Sequence, residues 1–318
     1  MLENVKPSLC IIAPCFNEME TLGSSLQQLL LLLEDLGQKD LINLNSSKVM
    51  VVDDGSSDKS WAILKEHKEL YPKISCLKLS RNFGHQNALL AGMFNSSEDI
   101  VITIDIDLQD DLGAIEKMIN RYLLGFEIVY GVKKDRAVDG IVKKFFANCF
   151  YSILSVIGAR VIKNHADFRL ISQKVISALR EHKEHNLYLR GIIPMLGFQS
   201  TAVEYSLEKR MHGTPKYSYK KSIALAINGI TSFSLTPLRF ILVLGFVVAF
   251  FSILLTIYYL YQSIFNLNVM PGWASTVLPI YFLGSIQLIS LGVISEYIGK
   301  LFLESKKRPN YIIEEFLD

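Results

Sequence analysis

Cysteine is scarce in this chain, and the four present, Cys10, Cys15, Cys76 and Cys149, form neither a CxxC pair nor a regular spacing. That excludes a disulfide framework and a thiolate zinc site, and fits a reduced, cytosol-facing compartment. Charge of one sign is also lacking. With 33 Lys and Arg against 31 Asp and Glu, the formal charge is +2, which argues against a general polyanion binder such as a nucleic-acid protein. Met1–Pro7 carries Glu3 and no apolar stretch precedes the first predicted strand, so no secretory signal is expected. Neither GxGxxG nor GxxxxGK occurs, so a parallel sheet here is not read as a dinucleotide-binding or Walker-type site. His182 and His185 lie in a charged stretch and are read as a solvated helix face rather than a zinc pair.

Apolar residues are abundant, at 50% of 318, enough for a sizeable core. Their distribution changes near Thr236. Before it, short apolar runs at Leu9–Ala13, Lys48–Asp53, Ile74–Leu79, Ile100–Asp105 and Glu127–Val132 alternate with helix-like stretches. This predicts an α/β domain with a mainly parallel sheet. Leu26–Leu36 is rich in leucine, but Gln27, Gln28, Glu34 and Asp35 interrupt it, so it is read as a packed helix and not a membrane span.

After Thr236, Phe240–Tyr261 and Val277–Ile298 are each long enough to cross a hydrocarbon layer of about 30 Å. The alternative for these segments is a pair of buried core helices. Their connection, Gln262–Thr276, has no Lys or Arg, whereas Lys220, Lys221 and Arg239 precede the first and Lys300, Lys306, Lys307 and Arg308 follow the second. Positive-inside logic therefore predicts two spans with both termini cytoplasmic, and Trp273, Tyr258, Tyr259 and Tyr261 fall where interfacial aromatics are expected. Lys143–Ile157 and Ser222–Leu235 suit either interfacial helices or ordinary amphipathic helices of the core. The expected organisation is a cytoplasmic α/β domain over 1–220, a juxtamembrane interfacial segment over 221–238, two transmembrane helices over 239–299 and a cytoplasmic tail over 300–318.

The chemistry-bearing residues follow the predicted strands. Asp105-Ile106-Asp107 ends the fourth run, so alternation puts both carboxylates on one face at the carboxyl edge, where open α/β sheets bind ligands. Hard carboxylate oxygens favour Mg²⁺ or Mn²⁺, which can bridge and neutralise a diphosphate; Gln109 and Asp110 lie close enough to complete the shell. Val51–Asp58, VVDDGSSD, ends the second run with Asp53 and Asp54 and turns through Gly55. Ala13–Glu18, APCFNE, follows the first, with Pro14 shaping a turn and Asn17 and Glu18 offering polar groups suited to a nucleoside.

Through PCFNE, VVDDGSSD, SRNFGHQNALLAG (Ser80–Gly92) and DIDLQDD (Asp105–Asp111), the chain resembles the inverting family-2 glycosyltransferases of GT-A (Rossmann-like) fold. HADFRL (His165–Leu170), KRMHGTPKYS (Lys209–Ser218), the paired spans and SEYIGKLFLESKKRPNYII narrow the resemblance to polyprenyl-phosphate glycosyltransferases related to dolichol-phosphate mannose synthase, especially the bacterial GtrB-like group. The resemblance implies that Asp105, Asp107 and Gln109 sit at the metal and donor diphosphate. It implies that Pro14, Asn17, Glu18, Asp53 and Asp54 hold the nucleotide, and that Arg136, Arg169, Arg210 and Lys216 bind acceptor phosphate.

Asp107 and Asp167 become the candidate catalytic carboxylates. A phosphate monoester, with a second pKa of about 6, is already largely ionised near neutrality, so Asp167 either acts as base or positions substrate. Phe16 stands where the family often has Tyr, Lys133 where Arg is common and Asp111 where Pro is common, and Pro215 interrupts the basic motif. The expected activity is inverting transfer of a sugar, glucose from a UDP-linked donor, to polyprenyl phosphate by a homotetramer in the bacterial inner membrane. A polysaccharide synthase is disfavoured because neither Trp61 nor Trp273 supplies a QxxRW pattern. A tethered non-catalytic scaffold would have lost residues such as Asp105, Asp107, Arg210 and Lys216, all present.

Overall fold

The structure is a computed structural model that describes residues 6–134, 165–182, 189–206, 236–264 and 272–318. It divides into two compact units, Met1–Tyr217 with Pro309–Asp318, and Ser218–Arg308.

The first unit is built on eight strands: β1 (Leu9–Cys15), β2 (Lys48–Asp53), β3 (Ile74–Leu79), β4 (Ile100–Thr103), β5 (Ile128–Lys133), β6 (His165–Ser172), β7 (Ser200–Tyr205) and β8 (Ile313–Leu317). They form one sheet in the order β7-β5-β6-β4-β1-β2-β3-β8. β4, β1, β2 and β3 are parallel neighbours, and β5 pairs parallel with β7. β1 is buried along its whole length, as its unbroken apolar run requires when both faces of a parallel strand are covered.

Helices α1 (Leu22–Gln38), α2 (Ser60–Leu70) and α4 (Gly113–Leu123) cover one face, and α3 (His85–Phe94), α5 (Gln173–Glu181) and α6 (Leu189–Met195) cover the other. In α1 the stripe Leu22, Leu26, Leu29, Leu33 and Leu36 is fully buried, each leucine contributing about 1.5–3 kcal/mol. Gln27, Gln28, Glu34 and Asp35 occupy the outer side, so Leu26–Leu36 is the packed helix its interrupted pattern predicted. α3 presses close to the sheet at Gly92, where a Cβ would lie 2.5 Å from Ile12 Cγ2.

The sheet is mixed rather than mainly parallel. β6 inserts antiparallel between β4 and β5, and β8 pairs antiparallel with β3. β6 escapes a hydropathy reading because Asp167 and Arg169 interrupt its apolar residues. The segment 300–318, read from sequence as a tail, contains β8. Its register is set by contacts remote in sequence: Trp61 Nε1 donates to Glu315 at 3.2 Å, Lys78 pairs with Glu314 at 3.0 Å and Lys48 with Asp318 at 2.6 Å.

The second unit contains α7 (Thr236–Ile264) and α8 (Trp273–Ser305), so both predicted apolar segments are helical. Among the described residues one stretch, Phe282–Ser305, is long and apolar enough to cross a membrane, and it has no buried share. Two spans are thus an expectation met in part. Lys143–Ile157, Ser222–Leu235, Arg136, Arg210 and Lys216 lie outside the described residues.

Candidate active site

Parallel pairing of β1, β2, β3 and β4 delivers four connections to one edge of the sheet, and backbone and side-chain hydrogen bonds stitch them together. Asn17, in the left-handed region at φ 55°, donates its amide to Ser56 Oγ at 2.9 Å and accepts from the Ser57 amide at 2.8 Å. The Glu18 amide donates to Ser60 Oγ at 3.1 Å and the Met19 amide to Asp58 at 3.2 Å. Pro14 is buried within β1, opposite Val52. Asp53 is fully buried and accepts from the Ser56 amide at 3.3 Å. Asp54, also buried, accepts from the Phe83 and Gly84 amides at 2.7 and 2.9 Å. Both aspartates therefore hold loop backbone, and Asn17 and Glu18 are the more accessible members of the set. Gly55 is required where it stands. At φ +68° a Cβ would lie 2.4 Å from the Arg81 carbonyl carbon, a backbone collision no rotamer can relieve.

Beyond β4, alternation places Asp105 and Asp107 outward and Ile106 inward. Gln109 Nε2 hydrogen-bonds Asp107 Oδ2. Asp110 turns into the protein instead. It is 5% exposed and accepts a 2.6 Å hydrogen bond from the Tyr205 hydroxyl, with Lys133 Nζ 3.8 Å away. β7 supplies that tyrosine because it runs parallel to β5 and ends at the same edge.

The antiparallel insertion of β6 brings Asp167 to this edge: Arg169 pairs with Thr103 at the end of β4, so the start of β6 lies beyond it. Extended backbone puts Asp167 and Arg169 on one face, and Arg169 Nη2 meets Asp167 Oδ1. Arg190 of α6 approaches the same carboxylate with two donors, Nε to Oδ1 at 3.1 Å and Nη2 to Oδ2 at 2.9 Å. His85, at the start of α3, sits between the acids, its Nε2 3.5 Å from Asp105 and 3.6 Å from Asp167.

These surroundings push the carboxyls in opposite directions. Surrounding protein strips part of the water from the Asp105 carboxyl, whose side chain is still 55% exposed, and raises it to about 6; His85 opposes the rise and the charges of Asp110, Asp167 and Asp107 add to it. Burial would also raise Asp167, but the guanidinium groups of Arg169 and Arg190 outweigh it and hold that carboxyl well below the usual range. Asp110 is raised by burial against the Tyr205 hydrogen bond and Lys133.

Among the described residues no group of three or more His, Cys, Asp and Glu side chains converges as a ready-made metal cage. The donor set still fits a hard divalent ion. Asp105 and Asp107 offer exposed oxygens, Gln109 adds a carbonyl, and Mg²⁺ in particular is usually bound by one or two carboxylates plus substrate phosphates. The neighbouring acidic charges that add to the rise at Asp105 are also what a cation would offset.

The structure thus assembles Asp105, Asp107, Gln109, Asp167 and Arg169 at one sheet edge, with Asn17 and Glu18 in the adjoining loops. Residues that sequence reasoning did not single out are His85, Arg190 and Tyr205. His85 lay within the quoted Ser80–Gly92 motif; Arg190 and Tyr205 had no local signal, because what matters in each is a partner far along the chain.

The sequence profile of glycosyl transferase family 2 matches residues 10–176. An uncharacterized glycosyltransferase, YkoT of Bacillus subtilis, is 43% identical over 315 residues, covering 98% of this chain and 93% of its own length. A bactoprenol glucosyl transferase of Shigella phage SfX is 34% identical over 307 residues, 96% of this chain and 98% of its own length. Among solved structures, the mannosyltransferase PcManGT of Pyrobaculum calidifontis, in complex with GDP-Man and Mn²⁺, is similar with a TM-score of 0.45 and 16% identity, covering 69% of this chain and 60% of that one.

Proposed function

Because this chain belongs to glycosyl transferase family 2, we propose that it transfers a sugar from a nucleotide-sugar donor to a polyprenyl phosphate. The observation that carries this reading is the pairing of exposed Asp105 and Asp107 with an adjoining cluster of Asp167, Arg169 and Arg190. Acidic and cationic groups side by side suit a reaction that handles phosphates at both ends. The full-length similarity to the bactoprenol glucosyl transferase supports a polyprenyl phosphate acceptor and glucose as the sugar; UDP is the carrier we propose for it.

In this reading Asn17 and Glu18 receive the nucleoside while Asp53 and Asp54 keep the loops around it in shape. Asp105, Asp107 and Gln109 would hold Mg²⁺ or Mn²⁺, which when bound offsets the negative charge of the departing diphosphate. The acceptor phosphate oxygen attacks the anomeric carbon in line and the configuration inverts. No general base is needed for a nucleophile already ionised near neutrality. Arg136, Arg210 and Lys216 complete the acceptor side. α7 and α8 are proposed to span the membrane with both termini cytoplasmic, in keeping with the Lys and Arg bias of the flanking segments, and the working assembly is proposed to be a homotetramer.

The test is incubation of the purified full chain with radiolabelled nucleotide sugars, undecaprenyl phosphate and Mg²⁺ or Mn²⁺, followed by organic extraction. Chelator-sensitive label in the organic phase is expected. Label that stays aqueous with every nucleotide sugar tried would refute the proposal.

A further inference from the structure

Asp167 is 11% exposed, and both of its oxygens are engaged by guanidinium groups. Oδ1 receives Arg169 and Arg190 Nε, and Oδ2 receives Arg190 Nη2. A carboxylate so engaged is badly placed to collect a proton from substrate, because protonation would leave two cations facing a neutral acid. The same geometry makes it well suited to fixing a guanidinium. Arg190 is gripped through two adjacent donors, which sets the plane of its fork and removes much of its rotamer freedom before any ligand arrives.

The two arginines differ in what they can reach. Arg169 is 1% exposed and belongs to the wall, whereas the Arg190 side chain is 33% exposed. One carboxylate holds two guanidinium groups, and the Arg190 side chain is the most exposed of the three. The position is anchored from another side as well, since the Leu189 amide donates to Gln86 Oε1 at 3.3 Å, joining the start of α6 to α3 next to His85. Through the His85 ring, at 3.5 and 3.6 Å, the trio adjoins Asp105.

We infer that Arg190 binds a phosphate oxyanion of the substrate in this site, and that Asp167 is the positioning residue that presents it. The identity of that phosphate, the donor's diphosphate or the acceptor's monophosphate, rests on the transfer reaction proposed above; the assignment of an oxyanion to Arg190 rests on the geometry alone.

The experiment compares the full-length wild type with Arg190→Gln, Arg190→Lys, Asp167→Asn and the Arg190→Gln/Asp167→Asn double variant. Binding of UDP in the presence of Mn²⁺ and of undecaprenyl phosphate in detergent micelles are measured separately, alongside steady-state transfer. Arg190→Gln is expected to weaken one of the two phosphate ligands about ten- to a hundredfold, the cost of a lost hydrogen bond to a charged group, and to raise KM for that substrate more than it lowers kcat. The ligand that responds identifies the source of the phosphate. Arg190→Lys should recover part of the loss, since it restores charge without the fork. Asp167→Asn should reproduce the same selective weakening, and the double variant should bind no worse than Arg190→Gln. Arg190→Gln leaves the buried Asp167–Arg169 pair in place, so it tests the inference even if Asp167→Asn does not fold. Unchanged affinity for both phosphates in Arg190→Gln overturns the assignment. A collapse of kcat in Asp167→Asn with both affinities intact overturns the positioning role. Wild-type protein that binds both ligands and transfers nothing would sink the proposed reaction and leave the Arg190 result readable from the affinities.

Discussion

Removing a single oxygen, in Tyr205→Phe, measures how firmly the acidic loop after β4 is held. The Tyr205 hydroxyl donates to Asp110 Oδ1 at 2.6 Å, and the two residues are 2% and 5% exposed. The ring packs edge-on against Phe168, centroids 5.2 Å apart, and phenylalanine keeps that contact. Only the hydrogen bond is lost. A hydrogen bond to a charged group contributes about 1.5–3 kcal/mol, and a buried carboxylate deprived of it bears the desolvation cost; Lys133, at 3.8 Å, offsets a little. The expected destabilisation is about 2 kcal/mol, or roughly 4–8 °C in melting temperature for a unit of this size. Trp61 lies in the first unit and Trp273 in the second, so melting followed by Trp61 fluorescence in a Trp273→Phe background reports the right unit. The loss should shrink to about 0.5 kcal/mol or less in an Asp110→Ala background, where there is no partner to lose. A Tyr205→Phe melting temperature within about 1 °C of its parent, or an equal loss with and without Asp110, would refute the reasoning.

Other outcomes follow from the same site. Asp107→Ala should abolish transfer to the organic phase with the melting temperature unchanged, and persisting turnover would remove Asp107 from the metal set. Because the Asp105 carboxyl is raised to about 6, a divalent ion must displace its proton at lower pH, so Mn²⁺ affinity measured by calorimetry should weaken by about tenfold per pH unit below that value and level off above it. The raised carboxyl also fixes a sign for stability: its contribution in the metal-free chain is present below about pH 4 and is lost as pH rises through about 6, and melting curves across that window, compared with Asp105→Asn, read it. Gly55→Ala requires a left-handed alanine, costing about 1–2 kcal/mol, on top of its backbone collision with Arg81. UDP binding should fall together with stability, and full retention of both would contradict the packing of the loops after β2 and β3. Truncation after Arg308 bares the β3 edge, removes the carboxylates that pair with Lys65 and Lys78, and leaves Lys48 with Glu98 alone. Light scattering should detect association through that edge, and a monodisperse, equally stable product would argue that β8 is dispensable.

Much of the frame was legible because it depends on local pattern. The apolar runs of the first half became β1 to β5, of which β1 to β4 form the parallel block, and the interrupted leucines of α1 became an amphipathic helix, since burial of one stripe or two faces leaves its period in the sequence. The Asp105-Ile106-Asp107 alternation likewise put two acids outward at a strand end, with no information needed from elsewhere.

The sequence by itself therefore determined the parallel half of the sheet, the separate apolar helices and the family signature of acidic strand ends. Tertiary structure alone decided that β6 and β8 enter the sheet antiparallel, that Asp54 and Asp110 turn inward to hold loop and strand, and that Arg190 grips Asp167. Those outcomes join residues tens to hundreds of positions apart, and their energy lies in pairing buried charges and open strand edges. No window of neighbouring residues records such a pairing, because neither partner's preference exists until the other is brought beside it.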